Sequence, residues 1–156
     1  MVEIKIDVMT KIVLCIIYQK IKEDYQFLLV KRTPEKGGFW QPVGGQVEKK
    51  DYNFLAAGYR EILEETGIAK NEIINIIEDF YKFTFDKHYL TGEQITPVQE
   101  HVYAFEVKRD VNIVLDDNPS NEHEKYGWFS YDEVIKKLKW ENNKESFEKL
   151  KSLLEF

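Results

Sequence analysis

The sequence predicts a mixed α/β domain, and three observations carry that expectation. Apolar, β-branched or alternating runs of strand length recur at 11–19, 25–32, 74–85, 98–108 and 124–131. Between the second and third of them, residues 52–66 show helical periodicity instead. The last 26 residues return to a helical pattern in two pieces, "YDEVIKKLKW" and "NKESFEKLKSLLEF". A chain of 156 residues fits one domain, 1–156, with room for a sizeable core.

The elements follow in order. "KIVLCIIYQ" is a buried strand by its β-branched content, "IKED" a turn, and "YQFLLVKR" the strand returning from it. "TPEKGG" is a loop by its Pro and Gly. "FWQPVGGQV" (39–47) is extended, because a residue before proline avoids the helical region. The helix over 52–66 has Asp51 at its N-cap position and Gly67 where a left-handed residue ends a helix. Residues 115–121, rich in Asp, Asn and Pro, form a loop before the strand at 124–131. Ser130 or the Tyr131–Asp132 pair opens the first C-terminal helix.

Composition narrows the function. Hydrophobic residues make up 43% and charged residues 32%, with a formal net charge of −6. That balance argues against binding nucleic acid backbone or an anionic membrane surface, both of which favour basic proteins. Cys15 is the one cysteine, so no intrachain disulfide forms, and its apolar neighbours make it a core residue. The start of the chain lacks a signal-peptide pattern and no apolar run is long enough to span a membrane, so a cytoplasmic location is expected.

The stretch "REILEETG" (60–67) carries the chemistry. Each helical residue advances the direction by about 100°, which puts Glu61 and Glu65 on one face with Glu64 beside them. Like charges at this spacing repel, and no lysine is interspersed from Arg60 to Ile68. Either the face is a solvated acidic surface or a divalent cation offsets the repulsion.

Arg60-Glu61-Ile62-Leu63-Glu64-Glu65-Thr66-Gly67-Ile68 resembles the second half of the Nudix box, G-x5-E-x7-R-E-U-x-E-E-x-G-U, at every specified position. Ala56, Ala57 and "PVGG" at 42–45 also look like the family. The first half departs: Asp51 stands where the pattern has Glu, and eight residues rather than seven separate it from Arg60. The resemblance implies an α/β/α Nudix fold, a mixed sheet between helices. It also implies a hydrolase that uses Mg²⁺ or Mn²⁺ to cleave a nucleoside diphosphate linked to another group. By carry-over, Glu61, Glu64 and Glu65 bind metal with the Gly45 carbonyl, and Arg60 orients Glu61.

A catalytic base outside the helix is expected at Glu122, with Glu100 the alternative. Glu122-His123-x-x-Tyr126-x-Trp128 resembles dihydroneopterin triphosphate pyrophosphohydrolases and related dATP-type Nudix enzymes, as do "FWQPVGGQVE" and the C-terminal "WFSYDEVIKKLKWENNKESFEKL". That branch implies a small-molecule nucleotide or pterin triphosphate substrate, released as monophosphate and pyrophosphate. A dinucleoside polyphosphate hydrolase and a non-catalytic nucleotide-sensing module are the alternatives.

Arg32 resembles the family's strand-end arginine that contacts substrate; a solvated strand end is the other reading. Phe39 and Trp40 offer rings for stacking and Gln41 an amide for reading a ring edge, although one of the two aromatics is expected to plug the core under the helix. Trp128 and Trp140 are expected to pack the C-terminal helices. His88, His101 and His123 lack a metal-site spacing and read as ordinary polar residues. Oligomeric state is not encoded in any motif.

Overall fold

A computed structural model of the chain describes residues 9–115 and 122–156. Seven strands, β1 (Thr10–Ile21), β2 (Asp24–Arg32), β3 (Trp40–Gln41), β4 (Val43–Gln46), β5 (Ile73–Lys87), β6 (Gln94–Val107) and β7 (His123–Phe129), join three helices, α1 (Phe54–Thr66), α2 (Tyr131–Lys137) and α3 (Glu141–Leu154). Residues 116–121 of the predicted loop lie outside the described residues, as does the amino-terminal stretch 1–8.

The strands form one mixed sheet in the order β3-β2-β1-β6-β5, with β4 also on β1 and β7 also on β2. β1 and β6 run parallel from Thr10↔Val98 to Tyr18↔Glu106, while the other pairs are antiparallel. The long apolar run at β1 follows from its central position. Its odd residues Val13, Cys15 and Ile17 join the core under α1, with Leu28, Val30, Ala57, Ile62 and Phe105. Its even residues Leu14, Ile16 and Tyr18 join the core under α2 and α3, with Phe27, Leu29, Val134, Phe147 and Leu150. A strand covered on both faces must be apolar at every position. Each such fully buried Leu, Ile or Phe contributes about 1.5–3 kcal/mol.

Three local expectations are corrected. Asp51 is not the cap of α1: Asn53 is, its side chain accepting from the Ala56 amide at 2.8 Å. Asp51 is drawn away by Arg60, a stronger partner than a backbone amide. The first C-terminal helix stops at Lys137, short of Trp140, so that Leu138 can bridge to Trp40. Trp128 packs against the core under α1 rather than the C-terminal helices. Ser130 does cap α2, in a reciprocal pair with Glu133. Among the described residues, no helix is long and apolar enough to cross a membrane.

Candidate active site

α1 turns its acidic face inward. Glu61 and Glu65 are buried, together with Ala57, Gly58, Ile62 and Thr66, while Glu64 is half-buried. This is no solvated acidic surface. The helix ends at Gly67, whose φ of +77° suits glycine and whose amide closes onto the Leu63 carbonyl.

Arg60 is the hub of this face. Its Nε and Nη2 grip both oxygens of Asp51 at 2.9 and 2.8 Å, and Nη2 also donates to the Gln46 carbonyl at 3.0 Å. Its Nη1 donates to Glu61 at 2.9 Å and to Glu64 at 3.2 Å. Asp51, one carbon shorter than Glu and displaced by an extra residue, still reaches the arginine. The fork holds the Asp51 carboxyl below its usual range. The bond to Asp51 likewise raises the Arg60 pKa.

Glu61 lies directly on the backbone of β4. A Cβ built on Gly45 would collide with Glu61 Oε1, so only glycine leaves room for the carboxylate there. Glu65 takes a different partner. Its Oε2 lies 2.8 Å from His123 Nδ1, both side chains being buried. His123 Nε2 in turn lies 3.0 Å from Gln41 Nε2. With the Gln41 amide nitrogen facing Nε2, Nδ1 is the ring nitrogen that donates to Glu65. Ligand atoms of Glu65, Glu122 and His123 fall within 4.8 Å of one another.

His123 is therefore the residue that sequence reasoning missed. Histidine spacing is a poor guide to a residue that orients a carboxylate, and its adjacency to Glu122 was the one available signal. Gln41 spends its amide nitrogen on His123 rather than on a ring edge.

Below the helix-facing site, a cleft of about 610 Å³ opens on the other face of the sheet. Gly45, Glu122, Arg32, Phe39, Tyr89, Trp140 and Glu100 are among the residues that line it. Arg32 lies over the Phe39 and Tyr89 rings, 5.7 and 5.3 Å from their centroids, and donates to Tyr89 Oη at 3.3 Å. Trp140 meets Phe39 edge-on at 5.9 Å, so it faces the cleft instead of packing the C-terminal helices. Trp40 does the reverse. It packs edge-on against Phe129 on the core under α2 and is absent from the cleft lining, which removes the ground for its expected ligand role. It also does not plug the core under α1, where the sequence reading placed one of the two aromatics.

Two carboxyls here are held up to about 7 from an ordinary 4.5. Glu61 is raised by burial, opposed by Arg60 and reinforced by Glu65 and Glu64; Glu100 is raised by burial. Such carboxyls bind protons more tightly folded than unfolded. The folded chain then holds more protons between about pH 4.5 and 7, so stability without metal falls as pH rises through that window. Glu100→Gln is accordingly expected to raise the melting midpoint at pH 8 and leave it nearly unchanged at pH 4.5. At about 1.4 kcal/mol per pKa unit the ceiling is about 3 kcal/mol. Equal shifts at both pH values in thermal melts with EDTA would contradict this.

The NUDIX domain family model matches residues 10–150. The chain belongs to the Nudix family. This Nudix chain is 31% identical over 121 residues to an octanoyltransferase of Myxococcus xanthus, a match covering 76% of the chain and 30% of that longer protein. Among solved structures it resembles an Ap4A hydrolase of C. elegans, crystallised as a binary complex, at 22% identity. That match has a TM-score of 0.75 and covers 94% of this chain and 98% of the other. It also resembles the dihydroneopterin triphosphate pyrophosphohydrolase of E. coli, at 23% identity and a TM-score of 0.69. Here the match covers 88% of this chain and 92% of that one. At these identities the two structures establish the shared fold.

The residues fit the divalent metal typical of the family. The group that the structure brings to ligand spacing among the described residues is Glu65, Glu122 and His123 rather than the expected trio Glu61, Glu64 and Glu65; two carboxylates and an imidazole suit a divalent ion such as Mg²⁺ or Mn²⁺. Burial, with Glu65 and Glu64 adding to it, raises the proton affinity of Glu61, a penalty that a cation would relieve. The glycine cradle at position 45 keeps that carboxylate beside the β4 backbone.

Proposed function

We propose that this Nudix chain is a Mg²⁺- or Mn²⁺-dependent pyrophosphohydrolase. Its substrate is a (deoxy)nucleoside triphosphate or dihydroneopterin triphosphate, cleaved to a monophosphate and pyrophosphate. The observation that carries the reading is the meeting of Glu65, Glu122 and His123, of which Glu122 also lines an aromatic cleft.

Glu61, Glu64 and Glu65, with the Gly45 carbonyl, would hold the metal. Bound there, the cation supplies charge neutralisation for the phosphate chain and acidifies water. The chain's own groups do the rest. Arg60 fixes the Glu61 and Glu64 carboxylates through Nη1. His123 fixes Glu65, and Gln41 fixes His123. Glu122, beside Glu65, takes the proton of the attacking water. Phe39, Tyr89 and Trp140 offer ring faces to the substrate, and Arg32 is held between two of those rings.

Glu100 competes poorly as the base. It pairs in register with Ile12 and Phe83, which line the cleft, whereas the ring of its neighbour His101 lies 4.1 Å from that of Phe54 of α1, tilted by 32°. Successive strand residues face opposite ways, so the sheet separates Glu100 from the α1 glutamates. Glu122→Gln is expected to lower kcat at neutral pH on the order of a hundredfold, with a smaller change in KM. An unchanged kcat would remove Glu122 from the reaction.

The test of the whole reading is phosphate release, with pyrophosphatase present, across nucleoside triphosphates, dihydroneopterin triphosphate and dinucleoside polyphosphates. Turnover of one triphosphate, abolished by EDTA, supports it. A nucleoside triphosphate released from a dinucleoside substrate would favour the second reading, a dinucleoside polyphosphate hydrolase. The similarity to the C. elegans enzyme over nearly the whole chain supports that alternative. Tight binding without turnover would favour the sensing module, against which stand the three helix glutamates.

A further inference from the structure

Gln41 belongs to two neighbourhoods at once. It lines the cleft with Arg32 and Phe39, and its Nε2 lies 3.0 Å from His123 Nε2. His123 Nδ1 in turn reaches Glu65 Oε2 at 2.8 Å. The His123 and Glu65 side chains are only 2% and 6% exposed, whereas Gln41 is half-buried. A chain of hydrogen bonds thus runs from an open cleft to an enclosed carboxylate. The other end of the amide is free: Gln41 Oε1 has no hydrogen-bond partner among the described residues. On a half-buried side chain that lines the cleft, that oxygen is the group a ligand can reach.

A side-chain amide is a two-state element. Its oxygen and nitrogen are nearly equal in size, so a half-turn about the last side-chain bond exchanges them. With nitrogen toward His123, the ring hydrogen sits on Nδ1 and points at Glu65. With oxygen toward His123, the amide asks for a hydrogen on Nε2 instead, and the bond that orients Glu65 weakens. A cleft ligand that gives an N–H or O–H to the amide oxygen holds the first arrangement. That arrangement also keeps Glu65 oriented for the cation it would hold. Ligand and cation then favour the same state, and each tightens the other.

We propose that Gln41 is a positioning residue that couples occupation of the cleft to cation binding at the α1 carboxylates. This rests on the reading of Glu65 as a residue that holds the metal. The test uses the full chain and needs no turnover. Mn²⁺ binding is followed by electron paramagnetic resonance, alone and with guanosine, adenosine or 7,8-dihydroneopterin, which carry no phosphate to chelate the metal. Binding of each probe is followed separately, in EDTA, by the indole N–H resonance of Trp140. A probe that binds should raise the Mn²⁺ affinity about fivefold or more, and Mn²⁺ should tighten that probe by the same factor. In Gln41→Met, which fills similar space without an amide, both effects should fall to within about twofold while the spectrum stays folded. A long-range proton–nitrogen spectrum of the His123 ring should place the hydrogen on Nδ1 in the probe complex and lose that preference in Gln41→Met.

A Mn²⁺ affinity that ignores a bound probe would overturn the proposal. So would linkage that survives intact in Gln41→Met, which would route it through Glu122, or the absence of binding by all three probes. A chain that binds no Mn²⁺ at all would remove the metal-dependent reading together with this one. The other outcomes leave that reading to the phosphate-release assay.

Discussion

Glu65→Gln is expected to abolish most turnover while leaving the fold intact. The glutamine carbonyl can still accept the hydrogen bond that His123 Nδ1 now gives to Glu65 Oε2 at 2.8 Å, so packing at this buried position survives. What is lost is one negative charge from the set of carboxylates that would hold the cation. The reduction in kcat should be on the order of a hundredfold or more, with weaker Mg²⁺ dependence. Steady-state kinetics over a Mg²⁺ series, with a thermal melt beside it, would show this. Turnover within a few-fold of the parent chain would mean that the metal is held elsewhere.

Arg60→Ala should have the opposite balance, a large loss of stability as well as activity. The guanidinium serves Asp51, whose side chain is 4% exposed, Glu61, Glu64 and the Gln46 carbonyl at once. Removing it leaves Asp51 with only the Glu48 amide and Glu61 without its cation, a change that costs about 3–5 kcal/mol for a broken buried pair. Chemical denaturation at pH 7.5 should reveal it. Because the stranded groups are acids, lowering the pH toward 5 should restore part of the loss as they protonate. A loss under about 1 kcal/mol at pH 7.5 would mean that the arginine network is no more than a surface ion pair.

Much of this was legible in the sequence. The β-branched content of 11–19, the Gly67 stop and the Arg60–Ile68 motif are local signals, and local signals report local structure. The failures have a common physical origin. Asp51 satisfies every rule for an N-cap, yet a tertiary partner nine residues away competes for it and wins. Trp40 and Trp140 differ in fate because α2 ends early and turns the chain, which no propensity near either tryptophan records. His123 meets Glu65 across 58 residues, and only the register of β7 against β2 brings it there. Sequence periodicity shows which face of a strand is buried, not which distant side chain waits on it.

The sheet itself has one further consequence. β1 is covered by α1 on one side and by α2 and α3 on the other, so the carboxylate helix and the ring-facing wall share a floor but few neighbours. Substitutions on the two sides should then combine almost additively. On the proposed reading, a lineage, or a laboratory, could change what the cleft accepts by altering β5 and β6 while the carboxylate helix is inherited unchanged. The places where that independence must fail include Gln41, Gly45 and Glu122, positions that belong to both compartments.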